Sequence, residues 1–268
     1  MSGLHEHPPA DVVDRQKEHF NRIAPAYVAG RNERNHIVVK DLIWEAAVRG
    51  VKFDLPPRFS VIEPMCGVGD GCDFARKHLG PDFSYAGFDY SDEIVRSAKE
   101  QMPGADIWRA DATTVELPSA RYDAAIILGG LHHVPFHVPQ VLASVTRSLK
   151  PGGYFINFEP TSGNPAFAKA REIIYERNAI FDAGTERAFT VPQLKSLFEE
   201  AGLRPERITF PGLAAYALYY NPYAFPQLNV GSEGLVRKVF SADRLFLSNA
   251  IGKFFSFATF SIWRKPAG

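Results

Sequence analysis

The stretch "VIEPMCGVGDGCDF", residues 61–74, decides the fold of this chain. A short apolar segment carrying one carboxylate, Glu63, leads into three glycines in five positions, Gly67, Gly69 and Gly71. Glycine has no Cβ, so such a loop can turn tightly and bring its backbone close to a ligand. A glycine pattern also occurs in ordinary tight turns, so the surrounding sequence must decide between the two interpretations.

The segments around this stretch alternate between strand and helix patterns. Strands are predicted at 59–64, 83–89, 106–110, 122–130 and 153–160. Apolar residues recur at helical spacing in 69–80, 91–102 and 138–153. Ser91 is a typical N-cap, and Gly80 and the "KPGG" of 150–153 predict helix ends. This alternation predicts βαβ units and a parallel sheet.

Two aspartates follow the next strands at the spacing that a nucleotide-like ligand needs. In parallel sheets, ligands bind beyond the carboxyl ends of the strands. Asp89 ends the second strand, and its two oxygens could accept from both hydroxyls of a ribose. Asp111 follows the third strand and could accept from an adenine amino group or an adjacent donor. Each aspartate alone is typical of a helix cap or turn, but the two together with the glycines indicate a binding site.

Five motifs occur together in order: "VIEPMCGVGDG", "FDYS", "ADATTVELP", "YDAAIILGGLHHV" and "LKPGGYFINFEP". With them the chain resembles the class I S-adenosylmethionine-dependent methyltransferases, especially the small-molecule branch. The resemblance is strong over residues 58–160 and weaker over 189–203 and 257–266. One departure is that Pro64 and Met65 stand where the family often has its first glycine, which alters the shape of the loop.

The resemblance implies a doubly wound, Rossmann-like α/β fold, with seven mostly parallel strands, the last antiparallel, and helices on both faces. It implies a single domain over 1–268, with an N-terminal helical cap (1–57), a donor-binding core (58–160) and a C-terminal half (161–268) that carries an acceptor-side insertion at about 210–250. The implied cofactor is S-adenosyl-L-methionine. The residues expected to bind it are Tyr27, Glu63, Gly67, Gly69, Gly71, Asp89, Tyr90, Asp111, Ala112 and Leu128.

A nicotinamide cofactor is the alternative ligand for this loop. Its usual pattern is G-x-G-x-x-G, and counting from Gly67 the sixth place is Cys72 rather than glycine. A dehydrogenase also has no obvious use for Glu63 or Asp111. The pattern therefore favours the methyl donor, and a nicotinamide-dependent oxidoreductase is the weaker alternative.

Candidate catalytic residues stand where the fourth and fifth strands end: His132, His133 and Glu159. A general base is needed only if the acceptor keeps its proton at neutral pH, as an alcohol does. His133 is the first candidate because the residue after the "GGLH" turn can point toward the acceptor. The "LHHV" stretch is also frequent in family members whose histidines do no chemistry, so a packing role is the alternative for both.

The segments outside the resemblance are expected to select the acceptor. Residues 11–29 are predicted to be helical with a break at Pro25, and Tyr27 stands where related enzymes place an aromatic residue near the donor. The tyrosine-rich segment 210–230 is either a lid over an apolar or aromatic acceptor, or a sheet-capping insertion or homodimer surface. Its prolines exclude a continuous membrane-spanning helix.

Composition limits the remaining possibilities. The 268 residues carry equal numbers of acidic and basic side chains, which argues against a nucleic-acid partner. The first residues contain no apolar core of a secretory signal, so we expect a cytoplasmic protein. Cys66 and Cys72 are expected to be reduced packing residues, and no metal site is predicted. The expected function is methyl transfer to a small, apolar or aromatic metabolite, and a non-catalytic S-adenosylmethionine-binding protein is the second interpretation.

Overall fold

A computed structural model describes residues 12–178, 181 and 186–267, with side chains from residue 15 onward. Its strands are β1 (Phe59–Pro64), β2 (Phe83–Asp89), β3 (Asp106–Arg109), β4 (Tyr122–Leu128), β5 (Leu149–Ser162), β6 (Phe189–Thr190), β7 (Arg204–Thr209) and β8 (Ala258–Arg264). Its helices are α1 (Val12–Arg31), α2 (Arg34–Val48), α3 (Asp70–Phe74), α4 (Asp92–Gln101), α5 (Val138–Ser148), α6 (Pro165–Arg177), α7 (Val191–Glu200), α8 (Ala214–Tyr219), α9 (Glu233–Asp243) and α10 (Ala250–Phe255). A π-helical turn, Ala75–Leu79, continues α3.

The strands form one sheet in the order β3-β2-β1-β4-β5-β8-β7, with the two-residue β6 paired to the end of β5. β1 to β5 are parallel, and β8 is antiparallel to both of its neighbours. The predicted doubly wound α/β sheet with an antiparallel last strand is therefore confirmed, and β6 is an addition to it. β1 lies at the switch point, because the chain continues from it to β2 on one side and returns to β4 on the other.

Two apolar cores lie on opposite faces of the sheet. On one face, Phe74 packs edge to face against Trp44 of α2, with the ring centroids 5.5 Å apart. On the other face, Phe198 of α7 stacks on Trp263 of β8 at 4.8 Å. β4 separates the two cores, and its residues 124–127 are fully buried. A central strand buried on both faces has no polar side to present, which explains its continuous apolar run.

The Lys-Pro-Gly-Gly stretch differs in part from the prediction. α5 does end before it, at Ser148, but residues 150–153 already belong to β5. The β4–β5 register shifts between Tyr122 and Ala124, and Gly152 adopts a positive φ of 78°. This irregularity lets a segment with helix-ending residues continue directly into a strand.

The predicted break of the first helix at Pro25 is wrong. α1 runs without interruption from Val12 to Arg31, and residue 11 lies outside the described residues. A proline inside a helix removes one hydrogen bond and clashes with the preceding turn, but packing can outweigh that cost. Ile23 and Ala24, directly before the proline, are buried, so tertiary contacts hold this part of α1 in place.

Polar contacts attach α1 to the start of α4. The hydroxyl of Ser91, which caps α4 as predicted, donates to Asn21 Oδ1 at 2.6 Å. The hydroxyl of Tyr90 donates to Gln16 Oε1 at 3.2 Å. Lys17 forms an ion pair with Asp92 at 3.4 Å. α1 is thereby placed across the carboxyl end of β2.

The segment 210–230 contains α8 and a single 3₁₀ turn, Pro226–Leu228. Tyr216, Tyr219 and Tyr220 are buried there, so the segment packs onto the sheet face that carries α2. None of the described helices is both long enough and apolar enough to cross a membrane.

Phe74 provides a test of this packing. Phe74→Ala should lower the free energy of unfolding by about 3–5 kcal/mol, because it leaves a cavity between α2 and the sheet. The same change at Phe254, whose side chain is about half exposed, should change it by less than about 0.5 kcal/mol. Urea unfolding of both variants measures the difference. Equal losses would contradict the core assignment.

Candidate functional site

A cavity of about 290 Å³ lies at the carboxyl ends of β1, β2 and β4. We call it the inner cavity. Side chains of α1, α6 and the 210–230 segment close it from the other side. Of the predicted site residues, the inner cavity is bordered by Tyr27, Glu63, Gly67, Asp89, Tyr90, Asp111, Ala112, Leu128, His132 and His133. Gly69, Gly71 and Glu159 do not border it.

The three glycines of the loop are required for three different reasons. Gly67 borders the inner cavity, and a Cβ there would come within 3.0 Å of the hydroxyl of Tyr27. Gly69 has a φ of 88° and faces the thioether of Met102. At Gly71 a Cβ would lie only 2.5 Å from the carboxyl carbon of Glu63. Gly67 thus leaves room for Tyr27 beside the inner cavity, Gly69 takes the positive φ of the turn, and Gly71 leaves room for the carboxyl group of Glu63.

The carboxyl group of Glu63 lies under the loop and is buried. Its Oε1 accepts from the backbone N–H of Gly71 at 2.8 Å, and its Oε2 accepts from the hydroxyl of Tyr85. Burial raises the pKa of Glu63 to about 8, although both hydrogen bonds oppose the shift. The group is therefore mostly protonated at neutral pH.

Asp89 connects the end of β2 to the glycine loop. Its Oδ2 accepts from the backbone N–H of Gly67 at 3.2 Å, and its Oδ1 accepts from that of Ser91 at 3.1 Å. Burial raises its pKa, and the hydrogen bonds partly offset this. Each carboxylate oxygen has a further lone pair, so the side chain can still accept from a ligand at the inner cavity.

Asp111 follows β3 and belongs to a side-chain turn. Its Oδ1 accepts from both the backbone N–H and the hydroxyl of Thr113, each at 2.8 Å. This turn directs the chain past the cavity wall, where Ala110 and Ala112 also lie. The two aspartates predicted from strand ends are thus brought to one cavity.

An ion-pair cluster that the sequence did not predict lies beside the loop. Asp70, the first residue of α3, pairs with Lys40 at 2.5 Å and with Arg31 at 3.7 Å. Burial favours the neutral acid, but these two cations outweigh burial and lower the pKa of Asp70. Arg31 also lies over the ring of Tyr27, 4.9 Å from its centroid. Arg31 and Asp70 border the inner cavity and give it fixed charges.

Glu159 fastens the turn that follows β4. Its carboxylate accepts from the backbone N–H groups of Gly130, Leu131 and His132 at 3.0, 2.8 and 3.3 Å. It also bonds His132 Nδ1 at 2.8 Å, and its side chain is fully buried. Burial lowers the pKa of His132, which keeps its imidazole neutral at pH 7. This geometry gives Glu159 a positioning role, away from the inner cavity.

His133 projects to the inner cavity, and its side chain is 19% exposed. Phe20 of α1 meets its ring edge to face at 4.7 Å. Its Nδ1 lies 3.6 Å from Oε1 of Glu186, which is buried. Among the described residues, His132, His133 and Glu186 offer ligand atoms that lie within 4.8 Å of one another, so they could hold a divalent cation after a small adjustment.

Many of the other side chains that line the inner cavity are aromatic. Its wall includes Phe20, Tyr175, Tyr216, Tyr220, Tyr223, Phe225 and Phe257, together with the guanidinium-bearing Arg171. The 210–230 segment supplies several of these side chains, as the lid interpretation expects. Arg171 of α6 and Glu186 were not predicted, because nothing in the local sequence distinguishes them from surface charges.

Residues 61–153 match the family model described as "Methyltransferase domain". This part of the chain is a class I S-adenosylmethionine-dependent methyltransferase domain. The match covers the glycine loop, both aspartates and the His132–His133 turn, so the predicted family is confirmed for this domain.

Two curated relatives share this methyltransferase domain. The chain is 34% identical over 97 residues to the phthiotriol/phenolphthiotriol dimycocerosates methyltransferase of Mycobacterium tuberculosis. These aligned residues make up 35% of each of the two chains. It is 24% identical over 164 residues to the demethylmenaquinone methyltransferase of Listeria monocytogenes, covering 53% of this chain and 69% of that one. The chain thus spans about a third of the length of the mycobacterial relative.

Solved structures agree with the fold. An S-adenosylmethionine-dependent methyltransferase from Mesorhizobium loti superposes with a TM-score of 0.52 at 19% identity, over 84% of this chain and 98% of that one. The cyclase SpnF superposes with a TM-score of 0.61 at 16% identity, over 98% and 100%. The fold of the methyltransferase domain therefore extends to proteins with a different named activity.

The raised pKa of Glu63 predicts a pH-dependent stability. The unfolded chain releases this proton near pH 4.5 and the native state only near pH 8, so stability is lost as the pH rises between these values, by at most about 1.4 kcal/mol per pH unit. Glu63→Gln removes this loss. Its free energy of unfolding should therefore rise relative to wild type from pH 5 to about pH 8. A constant difference between the two proteins in urea titrations would show that Glu63 ionises normally.

Proposed function

We propose that this chain transfers the methyl group of S-adenosylmethionine to a small, apolar or aromatic acceptor. The observation that carries the proposal is that one cavity is bordered by the donor-type residues Gly67, Asp89 and Asp111, by His133, and by an aromatic wall. Donor and acceptor can therefore meet in one cavity, which a direct methyl transfer requires.

The inner cavity suits the donor chemically. Asp89 keeps lone pairs for the ribose hydroxyls, and Asp111 stands at the end of the neighbouring strand for the adenine. Glu63 and the open backbone at Gly67 border the space for the methionine part. When bound, S-adenosylmethionine supplies a sulfonium-activated methyl group.

The chain's own residues supply alignment, exclusion of water and a base. The rings of Phe20 and Tyr220 line the inner cavity with apolar surface, and excluding water from the reacting atoms favours the displacement. His133 accepts the acceptor's proton when the acceptor is an alcohol. Glu159 and His132 position the turn that carries His133.

The relatives support an apolar acceptor. Their names specify a dimycocerosate and a demethylmenaquinone, and together they represent lipid and small-molecule methyltransferases. The aromatic wall of the inner cavity fits this chemistry, and residues 210–230, which supply part of that wall, include no charged side chain. We infer that the 210–230 segment is the lid over this acceptor.

One other function shares part of this geometry. A donor-binding protein without turnover needs the aspartates but not His133, and the similarity to the cyclase SpnF shows that the fold alone does not imply methyl transfer. Incubation with labelled donor and a metabolite extract, followed by mass spectrometry, discriminates between these functions. A product heavier by one CH₂ group supports transfer, and its absence with intact donor binding supports a binding role.

Ligand identity is tested by thermal stability. S-adenosylhomocysteine should raise the melting temperature, whereas NAD and NADP should not, because only a ligand that binds the native state stabilises it. Asp89→Ala should weaken S-adenosylhomocysteine binding by about 1.5–3 kcal/mol in calorimetry. Asp106→Ala, at the exposed amino end of β3, is the matched control and should not change it. Stabilisation by NAD alone would overturn the donor assignment.

The base is tested on the acceptor found in the extract. If that acceptor is an alcohol, His133→Ala should slow turnover by about 10²- to 10⁴-fold and leave donor affinity nearly unchanged. His132→Ala should slow turnover less than His133→Ala does. It should lower the melting temperature, because it leaves the buried Glu159 without its imidazole partner. Turnover near wild type in His133→Ala would mean that alignment alone drives the reaction.

A further inference from the structure

A second apolar depression lies on the outer side of α8. We call it the outer groove; its volume is about 330 Å³, and its lining is Phe167, Leu213, Ala214, Ala217, Asp243, Phe246, Ile251, Phe255 and Phe257. Asp243 is the one charged group among these, and its carboxylate accepts from the backbone N–H of Ala215 at 2.7 Å. The outer groove therefore offers almost no polar partner, and a ligand that fills it must itself be apolar.

The outer groove meets the inner cavity at two residues. Ala217 and Phe257 border both spaces. The ring of Phe257 stacks on that of Phe167 with centroids 4.5 Å apart, and Phe167 meets Phe255 edge to face at 5.9 Å. These three rings form a continuous aromatic row from the surface to the edge of the inner cavity.

The outer end of this row opens onto exposed apolar side chains. Ile251 and Phe255, which line the groove, are 52 and 48% exposed, and Phe254, whose ring meets that of Phe255 edge to face at 5.0 Å, is 51% exposed; we call these three the apolar patch. Residues 244–255 contain two basic side chains, Arg244 and Lys253, and no acidic one. Large apolar side chains clustered at a surface commonly mark a binding site.

We propose that the outer groove binds a hydrocarbon chain of the methyl acceptor, which runs from the inner cavity past Ala217 and Phe257 to the apolar patch. The proposal rests on the proposed function, and it narrows the acceptor to a molecule with a long apolar chain attached to its reactive group. A hydrocarbon chain is the occupant because the groove shares Ala217 and Phe257 with the inner cavity and its lining offers almost no hydrogen-bonding partner.

Alkyl maltosides test the groove without knowledge of the acceptor, since their head group is constant and only the chain varies. Octyl, decyl and dodecyl maltoside, titrated below their micelle-forming concentrations, should bind with an affinity that increases about threefold to fourfold per added CH₂. Ala217→Trp, which fills the junction, should remove the gain for the longest chain and keep that for the shortest. Affinity independent of chain length in wild type would overturn the proposal.

Matched variants distinguish maltoside binding in the outer groove from nonspecific binding to the protein surface. Ile251→Asp should reduce dodecyl maltoside affinity at least tenfold, because it places a charge in the groove. Ile37→Asp makes the same change at a 38%-exposed isoleucine of α2 that borders neither space, and it should have no effect. Equal losses in both variants would contradict a defined site.

Calorimetry with S-adenosylhomocysteine on the same variants distinguishes the two proposals. If it binds normally while alkyl maltosides do not bind, the donor site stands and the chain subsite is wrong. Sedimentation provides the last check: wild type that is dimeric without maltoside, and monomeric as Ile251→Asp, would identify the apolar patch as an interface between two copies and overturn the proposal.

Discussion

The buried carboxyl group of Glu63 is the constraint on which the site depends. It holds the N–H of Gly71 from one side and the hydroxyl of Tyr85 from the other, so the start of α3 is fixed against β1 and β2. The contact is so close that residue 71 can carry no side chain. The loop between β1 and α3 then has only a few residues to complete its turn, and the glycines at 67 and 69 take the positive φ values that this requires.

The same device recurs at two other strand ends. Asp89 accepts from the backbone of the glycine loop, and Glu159 accepts from three successive N–H groups of the turn after β4. In both of these cases a carboxylate from one strand fixes the turn that follows the neighbouring strand, whereas Glu63 fixes the turn after its own strand. The glycine loop and the turn after β4 are therefore ordered before a ligand binds. Binding then does not carry the free-energy cost of ordering these two walls of the inner cavity.

The sequence was most informative where function depends on local pattern. The alternation of strand and helix, the N-cap at Ser91 and the aspartates at strand ends could be predicted because each follows from nearest neighbours in the chain. The helix break predicted at Pro25 was wrong because the packing of α1 outweighs the tendency of proline to interrupt a helix. Arg31, Arg171 and Glu186 could not be found, since their importance comes from distant segments that folding brings together.

The attachment of α1 has an electrostatic consequence. This helix supplies Phe20 and Tyr27 to the cavity wall. Its hydrogen bonds to the start of α4 involve the buried Gln16 and Ser91, whereas the Lys17–Asp92 ion pair is partly exposed. Dissolved salt screens an exposed ion pair strongly and buried contacts much less. The position of α1 over the carboxyl end of β2 should therefore depend little on ionic strength.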